Sequence, residues 1–162
     1  MSTLYVDNLQ PNLGSRVMAA GHVVQVVSKE TSAAISLAQS NSHSNVITHV
    51  ITPTSSSSKV RVHVCGIYYI NNNSSSISHH FRIQRDGSTP THNWSQGAPA
   101  TGHYLQYRTS SINNHIPVPF NFTIFDSPAS TSAVSYSFDV RPDAGSLYFY
   151  SGFSMYLEEI AQ

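Results

Sequence analysis

The chain is short of charge. Lys, Arg, Asp and Glu make up 10% of its 162 residues, 8 basic against 8 acidic, for a formal net charge of zero. Binding nucleic acid through bulk charge needs many basic contacts that release counterions, so that class is excluded. A polybasic membrane-surface protein is excluded on the same ground. There are only 2 Lys and 3 Glu. Helical bundles lean on Ala, Leu, Glu and Lys, so a bundle is not expected. Cys65 is the single cysteine, which rules out an internal disulfide. It ends the strand-like run 60–65 and is expected as a small core or subcore residue rather than a nucleophile. No apolar run approaches the roughly 18 residues of a membrane span. Residues 1–7 carry neither a basic n-region nor a long apolar h-region, so no secretion signal is expected and the protein is made in a cytoplasm.

Hydroxyls, amides and aromatic rings are what the chain has in quantity. Ser, Thr and Asn number 28, 11 and 11, and the 40% hydrophobic fraction includes 9 Tyr, 7 Phe and 1 Trp. That is too apolar for a disordered chain. The length fits one domain, and a domain of this size buries roughly 70% of the surface its unfolded chain exposes. An all-β domain with a hydroxyl-rich surface is what remains.

Residues 1–21 stand apart. Asn8, Pro11, Asn12 and Gly14 interrupt them every few positions, and no strand or helix period survives. The segment is read as an extended N-terminal arm. Its Leu4, Tyr5, Val6, Leu9, Leu13 and Val17 are each worth roughly 1.5–3 kcal/mol when buried. Ordering an extended backbone costs about 1–2 kcal/mol per residue. On an isolated domain the two nearly cancel, so the arm is expected to order against a neighbouring subunit, by adding a strand to a sheet edge.

Residues 22–162 are read as an antiparallel β-sandwich. Val23-Val24-Gln25-Val26-Val27 is a β-branched run, and 45–52 is another that ends at Pro53. Val60, Val62 and Val64 alternate, as do Phe81 with Ile83, Val118 through Ile124, and Tyr136, Phe138 and Val140. Runs 103–108, 147–150 and 153–160 complete eight to nine expected strands. Ser55 to Ser58 are expected to bond their own backbone in a turn that needs no charge, and Asp126 to accept turn amides at the end of its strand. Asp86-Gly87 marks a tight turn. Residues 71–76 and 88–100 read as loops. The strand count suits a sandwich, expected as a jelly roll.

Little chemistry is on offer. Nine His are present, but His79 and His80 are adjacent and point to opposite strand faces. No C-x-x-C or H-E-x-x-H spacing occurs, so neither a metal site within the chain nor a cofactor is expected. An ion could be held only by one His from each protomer around a symmetry axis. Ser151-Gly152 lacks the upstream Gly of a nucleophile elbow. The carboxylates Asp7, Asp86, Asp126, Asp139, Asp143, Glu30, Glu158 and Glu159 lie mostly in turns or the last strand, with no glycosidase pair among them. The chain is not expected to be an enzyme. Trp94, Tyr104 and Tyr107 fit a sugar-stacking platform or a subunit interface. Amphipathic rings suit interfaces, and that reading is taken. Tyr148 and Tyr150 join them, because they cannot face inward together with Phe149.

Several segments carry a resemblance. Ile51-Thr52-Pro53-Thr54-Ser55-Ser56-Ser57-Ser58-Lys59-Val60 resembles a serine-rich turn of small β-sandwich modules in structural proteins of tailed bacteriophages. Phe125-Asp126-Ser127-Pro128-Ala129-Ser130-Thr131-Ser132-Ala133-Val134-Ser135-Tyr136 resembles a hairpin of the same modules. Gly21-His22-Val23-Val24-Gln25-Val26-Val27 and Leu157-Glu158-Glu159-Ile160-Ala161 are similar to their opening and closing strands, and Ser2-Thr3-Leu4-Tyr5-Val6-Asp7-Asn8-Leu9-Gln10 to the segment before the module in phage fibres. The resemblance runs the length of the chain and brings no catalytic motif. It implies a virion surface protein, a homotrimer. Its partners would be the major capsid protein or another virion structural protein, with neither nucleic acid nor membrane insertion. Two roles are open: a capsid cement or decoration protein, and a tail- or head-fibre module that binds a host-surface receptor. The lack of heptads or shaft repeats favours the first. The fibre-like first residues favour the second.

Overall fold

The computed structural model describes residues 20–72, 76–87, 103–108, 112–142 and 145–162. Over these residues the chain is all-β, a sandwich of two antiparallel sheets. The strands are β1 (Val23–Glu30), β2 (Ile35–Ala38), β3 (Ser44–Ile51), β4 (Lys59–Asn72), β5 (Ser76–Arg85), β6 (His103–Arg108), β7 (Ile112–Asp126), β8 (Val134–Pro142), β9 (Ser146–Phe149) and β10 (Ser154–Ile160). The first sheet has the order β1-β10-β4-β9-β2, with β7 on the other edge of β4. The second has the order β3-β8-β5-β6.

β4 is the spine of the first sheet. On one side its first half pairs with β10, from Lys59↔Ile160 to Cys65↔Ser154, and its second half with β9, from Tyr68↔Phe149 to Asn71↔Ser146. On its other side β7 runs alongside from Asp126 to Ile112. β1 and β2 thus act as one interrupted strand, and so do β9 and β10. The two interruptions are tied together: the Thr31 amide donates to the Phe153 carbonyl at 3.0 Å, and the Gly152 amide to the Thr31 carbonyl at 2.9 Å. At the outer end the Gly21 amide donates to the Ala161 carbonyl at 2.7 Å.

Alternation selects the core. Val60, Val62, Val64, Tyr68 and Ile70 of β4 face inward beside Val118, Phe120 and Ile124 of β7 and Met155 and Leu157 of β10. Ile47, Ile51, Phe81, Ile83, Val134, Tyr136, Phe138 and Val140 meet them from the second sheet. Phe120 stacks on Phe138 with ring centroids 5.7 Å apart, and Phe81 stacks on Phe138 at 5.9 Å. Gly66 takes an inward slot of β4 where Phe153 crosses: a Cβ there would collide with the Phe153 side chain and lie 3.1 Å from its Cα.

Several expectations are corrected. β2 is an additional strand, four residues long. β4 continues through Gly66 to Asn72 instead of stopping at Cys65, so the expected loop 71–76 is strand at both ends. β7 starts at Ile112 and carries Pro117 and Pro119 opposite Tyr69 and Ile67. Two residues apart, their nitrogens lie on one side of the strand, and since proline cannot donate to a ladder that side is the free edge. Cys65 is half-buried on the outer face, not in the core, because the alternation that buries Val64 turns it outward. The Asp126 carboxylate does not cap turn amides. It is buried between the sheets, accepting from Arg85 Nη1 and from the Tyr136 hydroxyl, each at 2.8 Å. Burial, then the bond to Asp126, pushes the Tyr136 phenol far above its ordinary pKa.

The serine turn behaves as expected in part. Ser55 Oγ accepts from the Ser57 amide at 3.2 Å, and the Ser58 amide donates to the Ser55 carbonyl. It does use a charge, however. Glu159, fully buried, accepts from the Thr54 amide at 2.8 Å, the Thr54 hydroxyl at 2.9 Å, the Ser55 amide at 3.3 Å and Gln25 Nε2 at 2.7 Å. Burial alone would raise its pKa, but the bonds from Gln25 and Thr54 win and hold it below the usual carboxylate range.

Candidate assembly face

The outward side chains of the first sheet line up by register. Val26, Glu158, Arg61 and Phe125 form one row across β1, β10, β4 and β7. Ser28, Tyr156, His63 and Thr123 form the next, and then Glu30, Ser154, Cys65 and Asn121. Beyond them Ile67 sits beside Pro119, and Tyr69 beside Pro117 and Tyr148.

This face sets several large apolar side chains among polar ones. Val26, Ile67, Phe125, Tyr150 and Tyr156 are 36–55% exposed. Tyr69 and Tyr150 meet edge to face at 4.7 Å, and His63 and Tyr156 at 5.9 Å. The charged residues in the first row pair with each other, Arg61 Nη2 donating to Glu158 Oε1 at 2.6 Å. Four strands about 4.8 Å apart and five rows about 6.8 Å apart give a face of roughly 500 Å². Its apolar end is made by Ile67, Tyr69, Pro117, Pro119 and Tyr148, and the polar row of Glu30, Ser154 and Asn121 lies between that end and Val26 and Phe125; exposed apolar groups rimmed by polar residues occur at interaction sites. A standard interface takes about 800 Å² from each partner, so this face covers somewhat over half of one.

The expected site residues fall in different places. Tyr148 and Tyr150 belong to the assembly face. Tyr104 and Tyr107 lie on β6 of the second sheet, with His80 and Ile77 as register partners. The arm residues Leu4, Tyr5, Val6, Leu9, Leu13 and Val17, together with Trp94, lie outside the described residues. Val26, Ile67, Phe125 and Tyr156 were not singled out from the sequence. They come from four strands far apart in the chain, and only the register unites them. Among the described residues no three His, Cys, Asp or Glu side chains gather to hold a metal ion.

No protein-family model matches the chain, and no curated protein matches it.

The second sheet presents a different outer face. Thr48, Ser137 and Gln84 form one row, and Asn45, Asp139 and Arg82 another. His80 lies opposite Arg141 at the end of that face, and the His43 ring meets His80 edge to face at 6.4 Å. Burial, then Arg82 and Arg141, push the His43 imidazole down to about 4.

Proposed function

We propose that the chain is a non-enzymatic structural protein of a bacteriophage particle, a trimeric capsid cement or decoration protein displayed on the virion surface. The large apolar side chains exposed on the outer face of the first sheet carry the reading. A free monomer gains nothing from Ile67, Phe125 and Tyr156 in water, whereas a subunit held permanently against protein does. Residues 1–21, read as an anchoring arm, would supply the contact area that the face alone lacks. The resemblance of the turns and strand ends to phage β-sandwich modules supports the same role. So does the winding: with β1/β2 and β9/β10 each taken as one interrupted strand, we read two four-stranded sheets wound as a jelly roll, an architecture used by viral capsid domains.

Stabilisation then works by mass action, since a protein that binds only the assembled shell favours that shell. Particles lacking this protein are expected to assemble but to burst at a lower temperature than complete ones, with hundreds of copies on each complete particle. Equal robustness without the protein, combined with failure to adsorb to cells, would refute this role and establish the fibre or receptor-binding reading. The polar outer face of the second sheet favours that second reading.

A further inference from the structure

β1 is an edge of the first sheet, and among the described residues it pairs only with β10. Thr31, the residue after it, directs both backbone groups to the β10 side: its amide donates to the Phe153 carbonyl, and its carbonyl accepts from the Gly152 amide. Backbone groups alternate sides along an antiparallel strand. Lys29, Val27 and Gln25 therefore also face β10, and Val26, Ser28 and Glu30 turn their N–H and C=O groups to the open side. The register with β10 is unbroken from Gln25 to Glu30. Val23, Val26, Ser28, Lys29 and Glu30 are exposed.

Two other edges, β7 and β3, are guarded against an incoming strand, as sheet edges commonly are. Pro117 and Pro119 block β7. On β3 the carbonyls of Thr48 and Thr52 accept from Lys29 Nζ at 2.9 Å and from Gln25 Nε2 at 2.7 Å, side chains that cross over from β1. β2 is only four residues long, and β6 is flanked on both sides by residues outside the described ones. β1 has no such guard. It contains no proline, and its charges are turned elsewhere: Lys29 reaches to β3, and Glu30 lies against Gly152, its Oε1 3.4 Å from where a Cβ would sit. What remains is a straight, valine-rich edge of eight residues. An edge of that kind pairs with another strand unless something covers it.

We propose that residues 3–7 of one protomer pair as an added strand with the β1 edge of the neighbouring protomer, through the backbone groups of Val26, Ser28 and Glu30. Thr3-Leu4-Tyr5-Val6-Asp7 is the part of the arm richest in strand-forming residues. A hairpin of the chain onto its own β1 would instead lay residues 11–19 on the edge, and Pro11, Asn12 and Gly14 are poor strand formers. Between Asp7 and β1 the chain can span about 50 Å when extended, enough to cross to a neighbour. Each protomer then gives one arm and accepts one, a head-to-tail exchange that closes into a ring. The added strand widens the assembly face beyond Val26 and Ser28. The proposal rests on the trimer of the reading above.

The test uses the full chain in a Cys65→Ser background. Copies carrying Leu4→Cys, Tyr5→Cys or Val6→Cys are coexpressed with copies carrying Val26→Cys or Ser28→Cys. Mild oxidation is expected to link the two kinds of copy in at least one combination. Hydrogen exchange read by mass spectrometry gives the second measurement. Peptides spanning β1 should exchange about tenfold more slowly in wild type than in Tyr5→Pro, Val6→Pro, each ladder bond contributing up to about that factor. Those prolines lie outside the sandwich, so they do not unfold it. Ser28→Pro should fold, since the amide it removes points away from β10, but should sediment as a monomer or a weakened trimer. A wild-type monomer refutes the trimer reading and this proposal with it. A wild-type trimer without cross-links between copies, or with β1 exchange unchanged by the arm prolines, refutes the proposal alone. Cross-links that form only when both cysteines sit in one chain place the arm on its own edge and refute it too.

Discussion

Replacing Glu159 with Gln removes one charge and keeps the size. In the folded protein Glu159 accepts four hydrogen bonds, two through the backbone amides of Thr54 and Ser55 and two from the side chains of Gln25 and Thr54. An amide oxygen can keep some of these. Its nitrogen is a donor, and at the other oxygen's position it faces donors. Bonds to a charged acceptor contribute about 1.5–3 kcal/mol each, and they are not additive, so a net loss of about 2–4 kcal/mol is expected at pH 7. For a domain of this size each kcal/mol moves the melting temperature by roughly 2–4 °C, giving a fall of about 4–16 °C. The pH dependence isolates the cause. The folded pKa of Glu159 lies below its ordinary 4.5, so its contribution is fully present above the unfolded pKa and is lost as pH falls through the folded value. Melting curves of wild type and Glu159→Gln should therefore be far apart at pH 7 and converge in acid. Other carboxylates act on both proteins alike and cancel in the difference. Equal melting temperatures at pH 7, or a gap that stays constant down to pH 2, would refute the argument.

Other outcomes follow from the same structure. Gly66→Ala should destabilise by about 1–3 kcal/mol or more in chemical denaturation, the usual cost of overpacking, because Phe153 stands where the new methyl group must go. His43 should titrate near pH 4 in an imidazole NMR titration. Its folded pKa is depressed, so the unfolded chain takes the proton first and stability should drop as pH falls from about 6.5 towards 4; His43→Gln should flatten that drop. The double variant Ile67→Lys, Phe125→Lys should sediment as a folded monomer where wild type sediments as a trimer, and a monomeric wild type at micromolar concentration would refute the trimer. Deleting residues 2–20 should leave a folded sandwich that no longer decorates particles; full occupancy by the truncated chain would show that the arm does not anchor it.

The fold was legible where period-2 alternation runs uninterrupted. Val60, Val62 and Val64, Phe81 and Ile83, and Tyr136, Phe138 and Val140 each mark a buried face unaided. It became illegible where another demand broke the pattern. Gly66 empties an inward slot of β4 because Phe153 fills it from the turn before β10, so the strand reads as ending just ahead of it. Pro117 and Pro119 read as breakers because the sequence does not say which strand edge is free. β2 is too short to show a period. Glu159 left one usable signal: it follows Met155 and Leu157 in step, which puts a carboxylate on the inward face of β10. The assembly face had no local signal, since its members meet only through the pairing of β1, β10, β4 and β7.

The bond from the Gly21 amide to the Ala161 carbonyl makes the sandwich nearly a closed loop of chain. Val23 and Ile160 are register partners, so the segments before β1 and after β10 leave the domain side by side. A linker of a few residues could join residues 162 and 20, and new ends could then be opened in the turn at Asp86-Gly87, where both residues have positive φ. Such a circular permutant would lack the arm and would carry any fused cargo at that turn, whereas a fusion after Gln162 of the intact chain holds its cargo beside the start of β1.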